Sequence, residues 1–138
     1  MTATYLFVYG TLMRNIDSQI ARFLGINSQF IAEGKMRGYL YDVGFYPAAL
    51  HLSDAEATVV GHIFELRNVE TTLATLDEYE GAAYEREKVL IESEQGKYEC
   101  WVYLYQDGVE DLTLIASGNY LDYLSDPNSE HWKFIRSV

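Results

Sequence analysis

The 138-residue sequence has very little cysteine and no long apolar run. Cys100 is the only cysteine, which excludes an intramolecular disulfide and a metal cluster built from several thiolates of one chain. The longest apolar stretches are short, such as residues 5–9, whereas a helix that spans a bilayer needs about 20 apolar residues. The N-terminus also lacks a charged lead into an apolar, signal-type segment. We therefore expect a cytoplasmic protein that does not enter the membrane.

Positive charge is also scarce, because ten Lys and Arg residues stand against 21 Asp and Glu, for a net charge of −11. A surface of this sign repels phosphate backbones and anionic membranes, and no local basic cluster offsets it. The sequence therefore disfavours a nucleic-acid partner and favours a small molecule or another protein. An anionic ligand would need a local site that overcomes the overall field.

Patterns of metal and nucleophile chemistry are absent as well. The three histidines are scattered, with no pair at i and i+4 and no cysteine pair, so we expect no metal and no other cofactor. No Gly-x-Ser-x-Gly elbow is present, which disfavours a serine hydrolase. Cys100 shares a strand face with Val102 and Leu104, and it is therefore predicted to be a buried core thiol.

The remaining composition, 49% apolar and 22% charged, is that of a folded, soluble domain, and the length predicts one domain over residues 1–138. Strand-like runs outnumber helical ones, and hairpins are mixed with single helices. This pattern predicts an α+β fold with flanking helices, in which a mixed sheet curls toward a barrel. The predicted strands are residues 5–9, two strands around a loop within 30–53, residues 58–66, and a hairpin of 86–93 and 98–106 turned at Gly96.

Helices are predicted over residues 15–25 and 69–80, with a further helical segment around 120–124. Asn15 or Asp17 is expected to cap the first helix, and Gly25 to end it. Gly81 is expected to end the second helix.

One carboxylate in the acidic segment "TLDEYEGAAYERE" (residues 75–87) differs from the others. Helical spacing places Glu80 in line with the core-facing Leu73 and Leu76. Burial beside leucines, at a helix end with partial negative charge, raises the pKa of a carboxyl and suits it to accept and return a proton. The alternative is a partly buried ion pair with Arg86 or Arg22.

The segment "VYGTL" (residues 8–12) places a glycine and a threonine directly after a predicted central strand. Gly10 allows close approach of the backbone to a ligand, and free amides together with the Thr11 hydroxyl can hold a carboxylate without a basic side chain. The alternative is a plain turn. Among the twelve tyrosines, Tyr120 is the preferred candidate for a hydroxyl that binds a polar ligand.

These two segments also carry a family resemblance. With "VYGTL", "LDEYEG" and "YER" in place, the sequence resembles the γ-glutamylcyclotransferase family, and its short γ-glutamylamine cyclotransferase-like (AIG2-like) branch in particular. The similarity continues in order through "GYLYDVGFYPA", "VVGHIFEL", "WVYLY" and "IASGNYLDY". Ala82 and Ala83 stand where the branch often has proline, and Asn119 stands where it often has aspartate.

The resemblance implies a partly closed barrel and an enzyme that releases 5-oxoproline from a small γ-glutamyl compound. It implies that Glu80 is the catalytic glutamate, and that the loop Tyr9, Gly10, Thr11 and Leu12 holds the substrate by its α-carboxylate. Two alternatives stay open: a non-catalytic protein that binds a metabolite in the same pocket, and an enzyme that trims a γ-glutamyl group from a biosynthetic intermediate. The sequence predicts no oligomeric state.

Overall fold

The structure is a computed structural model that describes residues 3–14, 16–44, 46–124 and 130–138. Its elements, in chain order, are β1 (Tyr5–Val8), α1 (Gln19–Ile26), β2 (Ser28–Asp42), β3 (Pro47–His51), β4 (Thr58–Leu66), α2 (Val69–Glu80), β5 (Tyr84–Ser93), β6 (Gly96–Tyr105), β7 (Thr113–Leu114), α3 (Tyr120–Tyr123) and α4 (Glu130–Ser137). Among the described residues, none of these helices has the length and apolar character needed to cross a membrane.

The strands form a closed five-stranded barrel. Strand β1 pairs antiparallel with β4 and parallel with β6, and the path continues from β4 to β2 and from β6 to β5. Pairing of β2 with β5, at Gly34 with Ser93 and Lys35 with Glu92, joins the two ends. The predicted α+β barrel is confirmed. Closure is complete because β2, at 15 residues, is long enough to pair with β4, β5, β3 and β7.

Strand β1 lies at the centre of this arrangement, which explains its uninterrupted apolar sequence. Leu6 and Phe7 are fully buried, and Val8 is nearly so. Strands covered on both faces lack the alternation of polar and apolar residues seen in half-exposed strands. Cys100, on the neighbouring strand β6, is also fully buried, and burial raises the pKa of its thiol to about 12. The predicted core thiol is confirmed.

Helix α1 differs from its prediction at both ends. The side chain of Ser18 accepts a hydrogen bond from the Ala21 N–H, so Ser18 is the N-cap and Asp17 is not. The other predicted cap, Asn15, lies outside the described residues. Gly25 lies inside the helix, which continues to Ile26 and has Asn27 as its C-cap. The Asn27 backbone and side-chain N–H groups both bond the Phe23 carbonyl, a C-terminal role that asparagine can fill in place of glycine.

Helix α2 and the hairpin of β5 and β6 match their predictions, and α2 begins and ends at the predicted residues. Gly81 follows α2 with φ of 78°, a conformation that disfavours any residue with a side chain. This glycine stops α2 with Glu80 as its last residue. Gly81 therefore fixes the position of Glu80 at the C-terminal end of α2.

Candidate active site

A cavity of about 180 Å³ opens beside the C-terminal end of β1. It is bounded by the segment that follows β1, the end of α2, the start of β3, strands β5 and β6, and helix α4. The lining residues are Phe7, Val8, Tyr9, Gly10, Thr11, Leu12, Tyr46, Pro47, Tyr79, Glu80, Tyr84, Tyr103 and Phe134. The structure thus brings Glu80 and all four residues of the predicted loop to one cavity.

Glu80 is half-buried and reaches the cavity from the last position of α2. Leu73 and Leu76 on the same helix are buried, as the helical spacing predicts. Burial is the main cause that raises the pKa of Glu80 from 4.5 to about 8, and the negative charge of Asp77 adds to it. The carboxyl is therefore mostly protonated at neutral pH, and it can gain or lose a proton near pH 8.

Glu80 does not form the alternative ion pair with Arg86 or Arg22, because each arginine pairs with a different carboxylate. Arg86 donates to the carboxylate of Asp77, with 2.9 Å between Nε and Oδ1, and Arg22 lies 3.2 Å from Asp17. Within the described part of the chain, no cation pairs with Glu80. The absence of such a partner is consistent with the raised pKa, because a nearby cation would favour the ionised form.

The loop of Tyr9, Gly10, Thr11 and Leu12 presents unpaired backbone donors. The Gly10 carbonyl accepts a hydrogen bond from the Met13 N–H at 3.1 Å, which closes a turn. By contrast, the N–H groups of Gly10, Thr11 and Leu12 have no hydrogen-bond partner among residues 3–14, 16–44, 46–124 and 130–138. Successive free amides of this kind attract an anion by their dipoles. The loop is thus equipped to bind a carboxylate.

Close packing explains why position 10 is a glycine. A Cβ at this position would lie 2.6 Å from Cγ of Pro47, on the first residue of β3. The proline ring is fixed and buried, so it cannot move aside easily. The loop therefore sits against β3 only because residue 10 lacks a side chain.

A hydroxyl pair joins the loop to α2. The Thr11 and Tyr79 oxygens are 2.6 Å apart, and either can donate. Burial raises the pKa of Tyr79 to about 12, so both hydroxyls keep their protons near neutrality. One of the two hydroxyl protons forms the hydrogen bond between Thr11 and Tyr79. The other hydroxyl proton can then be donated to a ligand in the cavity.

Three further tyrosines of the cavity wall donate their hydroxyl protons to groups of the protein. Tyr9 donates to the carbonyl of Tyr103, Tyr84 donates to the carbonyl of Pro47, and Tyr103 donates to Asp77, each at 2.7 Å. These bonds fix the rings as walls of the cavity. Tyr84 and Pro47 were not predicted as site residues, although they lie in the segments "YER" and "GYLYDVGFYPA" that carry the family resemblance.

Tyr120 does not belong to this wall, contrary to its predicted role in ligand binding. Its side chain is fully buried, and its hydroxyl lies 2.6 Å from Nδ1 of His131. Nε2 of His131 in turn lies 2.8 Å from Asp42. A fully buried ring cannot contact a ligand in the cavity without a rearrangement. Tyr120 instead links α3 to α4 and, through His131, to the end of β2.

The asparagine beside it, Asn119, has a local structural role. Its side chain accepts a hydrogen bond from the Asp122 N–H and caps α3. Aspartate can accept the same bond. Asn119 therefore caps α3 in the way that an aspartate at this position could.

The cavity combines an acid that can exchange a proton near pH 8 with backbone N–H groups that can bind an anion. Among the described residues, no group of three or more His, Cys, Asp or Glu side chains could hold a metal ion. This arrangement of an acid and backbone amides is suited to acid-base chemistry on a small ligand that carries a carboxylate.

Known proteins share this sequence and fold. The family model described as gamma-glutamyl cyclotransferase, AIG2-like, matches residues 6–122. The gamma-glutamylcyclotransferase family protein ytfP of Citrobacter rodentium is 36% identical over 118 residues, which are 85% of this chain and 95% of that protein. Its namesake in Escherichia coli strain K12 is 34% identical over 85% of this chain and 96% of its own length.

Solved structures agree with these sequence matches. The solution structure of protein ytfP from Escherichia coli has a TM-score of 0.64 at 33% identity, and the match covers 87% of this chain and 98% of that one. An AIG2-like protein from Mus musculus has a TM-score of 0.70 at 21% identity over 87% and 89% of the two chains, which supports the fold. The chain belongs to the AIG2-like γ-glutamyl cyclotransferase family.

Proposed function

We propose that this protein releases 5-oxoproline from a γ-glutamyl amine or γ-glutamyl amino acid, with Glu80 as the general acid and base. One observation carries the proposal: an acid with a pKa of about 8 lines the same cavity as three unpaired backbone amides. Family membership supports the type of reaction. A cytoplasmic location and the lack of a nucleic-acid partner stay predictions.

In this proposal the α-carboxylate of the γ-glutamyl group binds at the amides of Gly10, Thr11 and Leu12. Backbone amides supply local positive potential, so the substrate anion can bind despite the net charge of −11. A cavity of about 150 Å³ accommodates benzene in another protein. The present cavity, at about 180 Å³ and open to solvent, has room for a short acyl group, with the leaving amine toward the mouth.

The reaction needs no group from outside the substrate and the acid. Glu80 as carboxylate takes a proton from the α-ammonium group, and the freed α-amine attacks the γ-carbonyl carbon. The new C–N bond closes a five-membered ring, and the old amide C–N bond breaks as Glu80 returns the first proton to the leaving nitrogen. The ring nitrogen then gives up its second proton, again through Glu80, so that the lactam is neutral and the amine leaves as an ammonium ion. Correct orientation of the two reacting ends can contribute about 7–11 kcal/mol, more than the acid-base step, which is typically worth about 10²- to 10⁴-fold.

A substrate panel tests the proposal. γ-Glutamyl-lysine, several γ-glutamyl amino acids and glutathione are incubated with the protein, and 5-oxoproline is measured by mass spectrometry. Release from at least one compound is the expected result. If no compound yields 5-oxoproline while one of them binds, the protein is instead a metabolite-binding protein built on the same fold.

The reaction should depend on pH in a defined direction. Only the ionised form of Glu80 can accept the α-ammonium proton, and its pKa is about 8. We therefore expect kcat/KM to rise about tenfold per pH unit below about pH 7, and to stop rising near the pKa. Initial rates at low substrate concentration between about pH 5.5 and 9 measure this profile. A flat profile over that range would count against Glu80 as the base.

A further inference from the structure

A second carboxylate lies one turn before Glu80, and three hydrogen bonds hold it in place. Arg86 on β5 donates to both oxygens of Asp77, at 2.9 and 3.1 Å. Tyr103 on β6, which lines the cavity, donates to Oδ1 of Asp77 at 2.7 Å. The Arg86 guanidinium in turn lies over the ring of Trp101 at 4.3 Å. Asp77 is thus tied to two barrel strands, β5 and β6.

The charge of Asp77 persists throughout the working pH range. Hydrogen bonds from Arg86, with a smaller contribution from Tyr103, lower the pKa of Asp77. Residues at i and i+3 of a helix are neighbours, with about 5–6 Å between their Cβ atoms. Asp77 therefore presents a fixed negative charge to Glu80, which favours the protonated form of Glu80.

We propose that Asp77, clamped by Arg86 and Tyr103, is a positioning residue that keeps the proton on Glu80 in the resting protein. Arg86 has two effects in this arrangement: it keeps Asp77 ionised, and it partly neutralises the field that Asp77 exerts. The balance between them sets how readily Glu80 takes and returns a proton. The role of this balance in turnover rests on the proposed function, whereas its effect on Glu80 does not.

Of the tyrosines that share the cavity with Glu80, which include Tyr46, four have a raised pKa and stay neutral in this pH range. Tyr9 after β1, Tyr84 on β5 and Tyr103 on β6 each share the cavity with it, and burial raises the pKa of all three. Tyr79 beside it on α2 also keeps its proton, since its pKa is raised to about 12. Among the described residues, the charge of Asp77 is thus the one that acts on Glu80.

Two substitutions should move the titration of Glu80 in opposite directions. Asp77→Asn removes the negative charge and leaves the Arg86 cation, so the midpoint of Glu80 should fall. Arg86→Met keeps the aliphatic stem but removes the cation, so the midpoint should rise. Because the Asp77 side chain is 44% exposed, solvent screens the interaction, and each shift should be about 0.5–1 pH unit.

The measurement is an NMR titration of the ¹³C-labelled Glu80 side-chain carboxyl, assigned by its loss in Glu80→Gln. Arg86→Lys is the conservative control, which should keep the midpoint within about 0.3 unit of the wild type because the cation remains. Glu78→Gln is the second control, since Glu78 is exposed and lies at i−2, where helical side chains do not face each other.

Opposite shifts in the two variants, with both controls unchanged, would support the proposal. Midpoints that stay at the wild-type value, or that move the same way in both variants, would overturn it. If Asp77→Asn fails to fold, the comparison of Arg86→Met with Arg86→Lys still tests the proposal. An unchanged or lower midpoint of Glu80 in Arg86→Met would contradict the proposed role of Asp77 and Arg86. The titration needs no substrate. If the midpoints shift as expected but the protein releases no 5-oxoproline, the proposed function is wrong and the effect of Asp77 on Glu80 still holds.

Discussion

Replacing Glu80 with glutamine is expected to lower kcat by about 10²- to 10⁴-fold, while KM changes little. Glutamine has nearly the same shape as the protonated acid, so the cavity and the loop should keep their structure. It cannot accept the α-ammonium proton or return one to the leaving nitrogen. The substrate should therefore still bind at the amides of residues 10–12 and fail to cyclise. The rise of kcat/KM with pH should vanish in the same variant.

The same substitution should stabilise the fold above neutral pH. Glu80 has a folded-state pKa of about 8 against 4.5 for the free side chain, so the unfolded chain ionises first as the pH rises. Wild-type stability is thus lost progressively between about pH 4.5 and 8. Glutamine has no such loss. Allowing for the partial exposure of Glu80, we expect Glu80→Gln to be more stable by about 1–3 kcal/mol at pH 8.5, and nearly equal at pH 4.5.

Thermal unfolding at the two pH values, together with turnover, measures both effects. Glu78→Gln is the matched control, because it makes the same chemical change at an exposed position of the same helix. It should leave turnover and the pH dependence of stability as in the wild type. Normal turnover in Glu80→Gln would remove Glu80 from the mechanism, whatever the stability result.

Replacing Gly10 with alanine is expected to lower kcat/KM by about 10- to 100-fold, mainly through KM. The added Cβ would lie 2.6 Å from Cγ and 3.3 Å from Cδ of Pro47, closer than packed atoms tolerate. The ring is held at the first position of β3, paired with Asp42 of β2, so the loop has to move instead. Moving the loop displaces the amides that bind the α-carboxylate, and such overpacking typically costs about 1–3 kcal/mol.

Gly25→Ala is the control for this change. Position 25 lies in α1 with no atom within 4 Å of an added Cβ, so alanine fits there and favours the helix by about 1 kcal/mol. KM should stay at the wild-type value in this variant. Steady-state kinetics of both variants decide the matter. A folded Gly10→Ala protein with a wild-type KM would show that the loop does not hold the substrate.

The features predicted from sequence were those that local geometry determines. Helical spacing identified Glu80 as the inward acid of a charged segment, and Gly81 marked the end of α2 because a positive φ excludes most other residues. The apolar run of β1 ended at a glycine, which placed Gly10 at the edge of a central strand. Each of these features can be recognised from the residues of a single helix or strand and the residues at its end.

Features that depend on distant parts of the chain were not predicted. The sequence offered Arg86 as a partner for Glu80, but the register of β5 directs the arginine to Asp77 instead. Pro47 and Phe134 reach the cavity from distant parts of the chain, and no local pattern marks them as neighbours. Tyr120 was predicted to bind a ligand, because the local sequence could not distinguish a core position from a position on the cavity wall.

A crystal structure of the wild-type protein with 5-oxoproline, the proposed product, would show directly whether Glu80 and the loop act on one ligand. The product carboxylate should accept hydrogen bonds of about 3 Å from the N–H groups of residues 10–12. The lactam nitrogen should lie within about 3 Å of the Glu80 carboxyl group, where the substrate amine would have been deprotonated. A product that binds outside this cavity, or whose lactam nitrogen faces away from Glu80, would disprove the proposed roles of Glu80 and the loop.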